Sequence, residues 1–384
     1  MSKQELYESR VRDIIDTCNN KQPKRVPVLV NVLTWAIGYA QGDTNEILDN
    51  PDKLPEVWNK FYDEVYCDAT FKDGLSTPVR AIERLGSDAF FVSSDKHTIQ
   101  HKEHCFMERE DYPELIADAL PFLINVLGKR KFPELQKTEA EAYQALIDVA
   151  LNIDKFSKAN AKCAEISKEK YGIVTMLGKH KVYPPFDVIF DRLRGIRGAL
   201  TDLRRERANV IKATEAIYPI YQKLATNVQG EFPYAQCTLH CPTYLSPKDF
   251  REVFWPGMRD LIMEVYNRGS KTLLVMEGSW ERHYETLLED LPQSSVLCWL
   301  EDDDIIKAKK TLGQKFTIVG GAKINTLRYG TKQQCLDEAK RVVDACAPGG
   351  GFIFSFEKAL CTYGDVNTEN LIAVNQFVHE YGKY

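Results

Sequence analysis

Long apolar runs are missing from this chain. No window approaches eighteen consecutive apolar residues, so no transmembrane helix is expected. CxxC pairs are missing too: the ten cysteines stand at 18, 67, 105, 163, 237, 241, 298, 335, 346 and 361. In a chain of 384 residues that scatter reads as reduced thiols, several of them buried in a core. Nor is there a basic excess: 50 Lys and Arg against 55 Asp and Glu give a net charge of −5. Nucleic acid is therefore not an expected partner, since phosphate binding needs a clustered basic surface. The one basic run, 192–207, is interleaved with Leu, Ile and Ala at helical spacing and reads as a solvated helix face. The opening segment MSKQELYESRVRDII has no apolar core of the kind a secretory signal carries, so a cytoplasmic protein is expected. No linker or low-complexity segment divides the chain. A single domain over 1–384 is expected, with about 1–25 as an N-terminal helical extension.

What is present is a rhythm. Thr272-Leu-Leu-Val-Met276 stops at Glu277-Gly278. Ser295 to Leu300 stops at Glu301-Asp-Asp-Asp304, Phe316 to Val319 at Gly320-Gly321, and Gly351 to Ser355 at Phe356-Glu357. Short apolar runs that end abruptly in polar residues are buried parallel strands delivering their last side chains to a loop. Amphipathic stretches lie between them (284–291, 305–312 and 332–346). Further strands are expected near 26, 68, 172 and 235, and alternation from Ala89 to Met107 reads as a hairpin. Helix is expected over 1–20 and 45–65, over 111–151 with proline breaks, and again over 152–170, 184–228 and 246–268. That makes nine strand candidates, the hairpin being surplus. The fold expected is a (β/α)8 barrel with a hairpin insertion; an open doubly wound sheet is the runner-up.

In a barrel, chemistry sits where strands end. Glu277 is the first such residue, and Asp73, closing the strand near 68, is a second acid candidate in a turn-forming Asp-Gly pair. His240, Glu277 and Cys361 all fall at this end, and their side chains suit zinc with one position left open. His97, His101, His104 and Cys105 form the densest ligand cluster, but strand alternation splays them, and a polar hairpin rim is the better reading. The run 301–304 favours helix capping. Gly320-Gly321 allows close backbone approach to a cofactor, although no GK[ST] follows to make a phosphate loop. Trp35, Tyr39, Phe71, Tyr244 and Trp280 are candidates to line an apolar substrate pocket.

Four stretches carry a resemblance: Pro185-Phe-Asp187 with Leu193-Arg-Gly195, Gly198 and Asp202; Leu245 to Phe250 with Trp255-Pro256; Gly320-Gly321 through Thr331; and Gly349 to Ser355 with Asn367 to Asn370. Together they resemble the uroporphyrinogen decarboxylase superfamily over roughly residues 20 to 384. The resemblance implies a barrel with its cleft at the C-terminal ends of the strands, and either of two chemistries. Decarboxylases hold a polycarboxylate tetrapyrrole with arginines in an early motif similar to RQAGRY; here the matching stretch, Val32 to Tyr39, contains no arginine. Corrinoid (cobamide)-dependent methyltransferases move a methyl group between a small methylated substrate, or a thiol or folate-type acceptor, and a corrinoid protein. They carry zinc on a His-x-Cys-Gly pattern and a later Cys. Cys361 matches the later Cys, while Val275 and Glu277 stand at the His-x-Cys positions.

The resemblance is therefore closest to the methyltransferase branch. It implies a zinc Lewis acid, a corrinoid (cobalamin) carried by a partner protein, a small-molecule methyl donor or acceptor, and a homodimer. A decarboxylase-like enzyme and a non-catalytic barrel that binds a tetrapyrrole or a corrinoid protein are the alternatives.

Overall fold

The computed structural model describes residues 2–226 and 234–384, with the backbone alone for 177–180. Eleven strands are described: β1 (Leu29–Val30), β2 (Ala69–Thr70), β3 (Phe90–Val92), β4 (Ile99–His101), β5 (Val174–Thr175), β6 (Leu177–Lys181), β7 (Tyr234–Leu239), β8 (Thr272–Met276), β9 (Val296–Leu300), β10 (Thr317–Ala322) and β11 (Phe352–Phe356). β1, β2 and β5 pair in parallel, and β6 to β11 form a second parallel sheet in chain order. β5 runs on into β6 through Met176, and parallel bridges Val28–Phe354 and Val32–Leu360 join β1 to the segment around β11. The two sheets thus make one ring of eight strands, a (β/α)8 barrel. The surplus candidate is the antiparallel hairpin β3–β4, paired from Phe90–His101 to Val92–Ile99.

Alternation along each strand sorts the barrel into two layers. Leu29, Ala69, Val174, Tyr234, Leu273, Leu297, Val319 and Ile353 point inward and pack together. Ile14 and Cys18 join them from helix Lys3–Cys18, so the N-terminal extension plugs the lower end of the barrel. Phe71 and Trp299 form the top of this inner cluster and meet edge to face, with ring centroids 5.4 Å apart. The outward-facing set packs under the surrounding helices. Among the described residues, no helix is long and apolar enough to cross a membrane.

The helix expectations hold for 246–268: Ser246 caps the start and Gly269, at φ +76°, ends it. Over 184–228 the chain forms Pro185–Val188, Gly195–Arg205 and Arg207–Ala225; residues 227 and 228 lie outside the described residues. Within the basic run, Arg194 faces the buried Asp202 at 2.6 Å, and Arg207 pairs with Asp249 and Glu252. The boundary expected at 151–152 is corrected. One 33-residue helix, Glu139–Tyr171, runs through it, because Thr138 and Glu141 make a reciprocal capping box and the next residue able to stop it is Gly172, at φ +66°.

That helix leads straight into β5, and its Asn160 holds both polar backbone groups of Leu75, just past the upper end of β2, at 3.0 and 2.9 Å. The residues before Asn160 therefore rise beyond the strand ends, as one side of the barrel mouth.

Candidate active site at the barrel mouth

Above Phe71 and Trp299 the barrel opens into a cavity of about 610 Å³, walled by the upper ends of the strands. His240 follows β7, Glu277 follows β8, Glu301 follows β9, and Glu357 to Cys361 follow β11. Asn31 and Lys72 bring in the ends of β1 and β2. A recess of about 130 Å³ beside Asp187, Asp191 and Arg192 shares His240 with it.

His240 and Glu277 meet. The imidazole Nδ1 lies 2.8 Å from Glu277 Oε2, with the side chains 35% and 41% exposed. Burial pulls the His240 pKa down, but the hydrogen bond and charge of Glu277, with Asp187 and Asp191 beyond, lift it to about 9. At neutral pH the ring is an imidazolium held by a carboxylate, with Nε2 left for a ligand.

The surroundings fix this pair in place. Asp187, in the Pro-Phe-Asp stretch after β6, accepts the backbone N–H of His240 at 3.2 Å and of Cys241 at 2.9 Å. Its own burial raises its pKa. On the other side, Glu301 accepts the N–H of Gly278 at 2.8 Å. Buried Asp303 gathers Ser279 Oγ, the Trp280 N–H and the Tyr284 hydroxyl at 2.6–3.1 Å. Asp304 caps the next helix by accepting from Ile306 and Lys307, both at 2.9 Å. The acidic run is thus the scaffold of the Glu277 turn as well as a helix cap.

Cys361 lines the same cavity. Burial, with the charges of Asp365 and Glu277, pushes its thiol up to about 11, so it is protonated at neutral pH. Among the described residues, no three His, Cys, Asp or Glu side chains are gathered as a metal-ligand group. His240 and Glu277 are engaged with each other, and Cys361 stands apart. This arrangement does not fit the three-ligand zinc site expected from the sequence.

The remaining candidates divide. Phe71 lines the cavity. Trp35 and Tyr39 are buried beside Phe61 and stack on each other at 5.2 Å. Trp280 is fully buried against Phe250 and Phe254, and donates to the Glu277 carbonyl at 3.1 Å. Tyr244 is 56% exposed and leans on Phe190 outside the cavity.

Asp73 lies beneath the wall and is 4% exposed, its oxygens occupied by the hydroxyls of Tyr62 (2.7 Å) and Thr175 (2.5 Å). Gly320 and Gly321 sit within β10, where a Cβ on Gly321 would come 2.8 Å from Val342, so what they allow is helix-to-strand packing. His101 lies tilted against Phe90 with ring centroids 4.8 Å apart, His104 faces Asp88 at 3.0 Å, and Cys105 contacts the carbonyls of Met107 and Arg194; the hairpin ligands form no metal-binding group among the described residues.

Trp299, Lys72 and Asn31 are cavity residues that strand-end reasoning passed over. The alternation of Val296 to Leu300 is hidden because every residue of that strand is apolar and buried.

A closed parallel barrel with a proton-bearing dyad in its mouth defines the class: a (β/α)8 protein with an enzyme-like cleft at the C-terminal ends of its strands. Within that class, the family model for uroporphyrinogen decarboxylase (URO-D) matches residues 183–381, just over half of the chain, and the protein belongs to that family. Among solved structures, a methyltransferase from Methanosarcina mazei is similar at a TM-score of 0.61 and 14% identity, covering 99% of each chain. At that identity the likeness is one of fold. A search of curated proteins finds no match.

Proposed function

We propose that the protein is a methyltransferase that moves a methyl group between a small substrate held in the mouth cavity and a corrinoid carried by a partner protein. The observation that carries this reading is the composition of the cavity wall. Among the described residues no arginine lines it; three glutamates (277, 301 and 357) and three lysines (72, 181 and 358) do. A tetrapyrrole polycarboxylate would meet three carboxylates there and no bidentate guanidinium fork, and would be poorly held. A small methylated compound on Phe71 and Trp299, with its heteroatom at His240, suits the same wall.

The corrinoid, when docked, supplies the cobalt that takes or gives the methyl group. The residues of this chain do the rest. As the methyl group leaves an oxygen or sulfur, the bonding electrons stay on that heteroatom, and His240 Nε2–H donates a proton to it. Glu277 keeps the imidazole oriented and stabilises its charged form. In the reverse direction the neutral ring accepts the proton of an incoming hydroxyl or thiol. Asp187 positions His240 through the backbone and touches no substrate.

The test is a panel of small O-methyl and S-methyl compounds with free cob(I)alamin as acceptor, followed by the spectral conversion to methylcobalamin. Transfer that falls by about 10²–10⁴ in His240→Gln and Glu277→Gln is expected. Consumption of uroporphyrinogen with release of carbon dioxide, and no methyl transfer, would overturn the reading.

A further inference from the structure

We propose that Lys72 and Asn31 form an anion subsite on the β1–β2 side of the barrel mouth, with Asn31 opposite Glu277, and that the ligand is a small aromatic compound carrying one carboxylate. The inference deepens the functional reading by naming the substrate class of the same cavity.

Of the described cationic side chains in the wall, His240 is engaged by Glu277 at 2.8 Å and Lys358 by Glu301 at 3.3 Å, while Lys181, at the end of β6, stands near Lys72 and adds positive charge to the same side. Lys72 has no carboxylate within ion-pair distance among the described residues. Its neighbour Asp73 spends both oxygens on Tyr62 and Thr175. The Lys72 ammonium donates to the Leu75 carbonyl at 2.7 Å and keeps two further N–H groups. Burial and the charge of Lys181 draw its pKa down to about 8 against the charge of Asp73, so it is mostly charged at neutral pH. A half-buried ammonium with one partner is costly unless a ligand completes it.

Asn31 is the second, independent observation. It is 6% exposed, and its Oδ1 has no hydrogen-bond partner. An orphaned amide position in a cavity wall calls for a ligand atom, and rotating the amide turns its NH2 group toward a carboxylate. β1 and β2 are parallel neighbours, in register at Val30–Thr70, so the residues just past their ends share one side of the mouth. Ser76 and Thr77 add hydroxyl groups to that side.

Geometry then sets the shape of the ligand. β1 stands four strands around the ring from β8, so Asn31 and Glu277 lie on opposite walls. Between the two sides, Phe71 and Trp299 offer aromatic surface. A single ring with its carboxylate at Lys72 and Asn31 places the opposite edge, where a methylated heteroatom would sit, toward His240.

The experiment is calorimetric titration of the full chain with benzoate and with the neutral anisole. Wild type is expected to bind benzoate, and Lys72→Met to weaken it at least tenfold while leaving anisole unchanged. Lys72→Arg should restore part of the loss. Asn31→Asp, which places a charge at the subsite without altering size, should weaken benzoate selectively and serves as the second variant should Lys72→Met fail to fold. No benzoate binding by wild type, or equal affinity in the variants, overturns the subsite. These titrations involve no methyl transfer, so the subsite and the transferase reading fail separately.

Discussion

Arg10→Met tests whether the lower rim of the barrel is closed by one buried ion pair. Arg10 and Asp68 are 8% and 4% exposed, and Arg10 Nε lies 3.0 Å from Asp68 Oδ1. The guanidinium also donates to the carbonyls of Tyr171 (3.0 Å) and Gly172 (2.9 Å) and to the Tyr66 hydroxyl (3.3 Å). Asp68 in turn accepts the Val28 N–H at 3.0 Å and the Tyr66 hydroxyl at 2.5 Å. The cluster therefore ties helix Lys3–Cys18 to the lower ends of β1, β2 and β5. Methionine removes the charge and leaves a buried carboxylate and two helix-end carbonyls short of partners. Breaking one side of a buried pair costs about 3–5 kcal/mol. Over 384 residues the unfolding entropy is about 0.8 kcal/mol/K, so about 4 kcal/mol lowers Tm by about 5 °C. Thermal unfolding followed by circular dichroism at one fixed scan rate measures it. The double variant Arg10→Met/Asp68→Leu should recover part of the loss, because it removes the stranded charge. A fall below 1 °C in the single variant would refute the reasoning.

Four further outcomes follow from the same structure. Asp187→Ala leaves the buried N–H groups of His240 and Cys241 without their acceptor. It should cost about 3 kcal/mol in urea unfolding and lower methyl transfer, with Asp187→Asn closer to wild type in both. His283 is 1% exposed; its Nε2–H donates to the Pro242 carbonyl at 3.1 Å, and Nδ1 has no partner, so the ring is buried neutral. Burial lowers its pKa to about 4 against about 6.5 unfolded, so the unfolded chain takes up the proton first. Stability should decline by about 3 kcal/mol as pH falls from 6.5 toward 4, and His283→Phe should flatten that slope in pH-dependent melting. For His240 the sign is opposite: its contribution is complete below pH 6.5 and fades as pH rises through about 9. Exposure of over a third screens it, so Glu277→Gln should move Tm at pH 7 by no more than about 1 °C. Zinc analysis of protein purified without chelator should give much less than one zinc per chain, unchanged in Cys361→Ala; one zinc per chain, lost in that variant, would mean that the ligands regroup on binding metal.

The barrel could be read from the sequence because its strands are buried on both faces. Continuous apolar runs such as Val296 to Leu300, ending in acids, admit few other structures. The same burial hid the direction of individual side chains. Trp299 and Trp280 both stand near strand ends, yet Trp299 faces the cavity while Trp280 is sealed under Phe250 and Phe254. Strand-end position located His240, Glu277 and Cys361 in one cavity. It could not tell Asp73, whose oxygens are consumed below the wall, from Lys72, one residue earlier, which faces the opening. The long helix was divided because its exposed face carries Tyr143, Ile147 and Leu151, which blurs the periodicity at the point where solvent-facing polarity was expected.

The substitution of Val275 and Glu277 at the positions where the resemblance expects His and Cys has a chemical consequence. Val275 is uncharged and cannot bind a metal, so Glu277 is left with His240 from the neighbouring strand. A carboxylate and an imidazole 2.8 Å apart satisfy each other by sharing a proton rather than by sharing a cation. In the proposed methyl transfer, electrophilic assistance to the leaving group comes from this imidazolium, and a protic acid helps most where the leaving atom becomes basic. An aryloxide or thiolate gains more from that proton than an already neutral leaving amine would. Comparing transfer from an aryl methyl ether with transfer from a quaternary methylammonium compound measures this directly. The ether should lose about 10²-fold or more in His240→Gln, while any quaternary donor that reacts should be nearly indifferent to the change. Equal losses for both donors would place His240 in substrate binding instead of proton transfer.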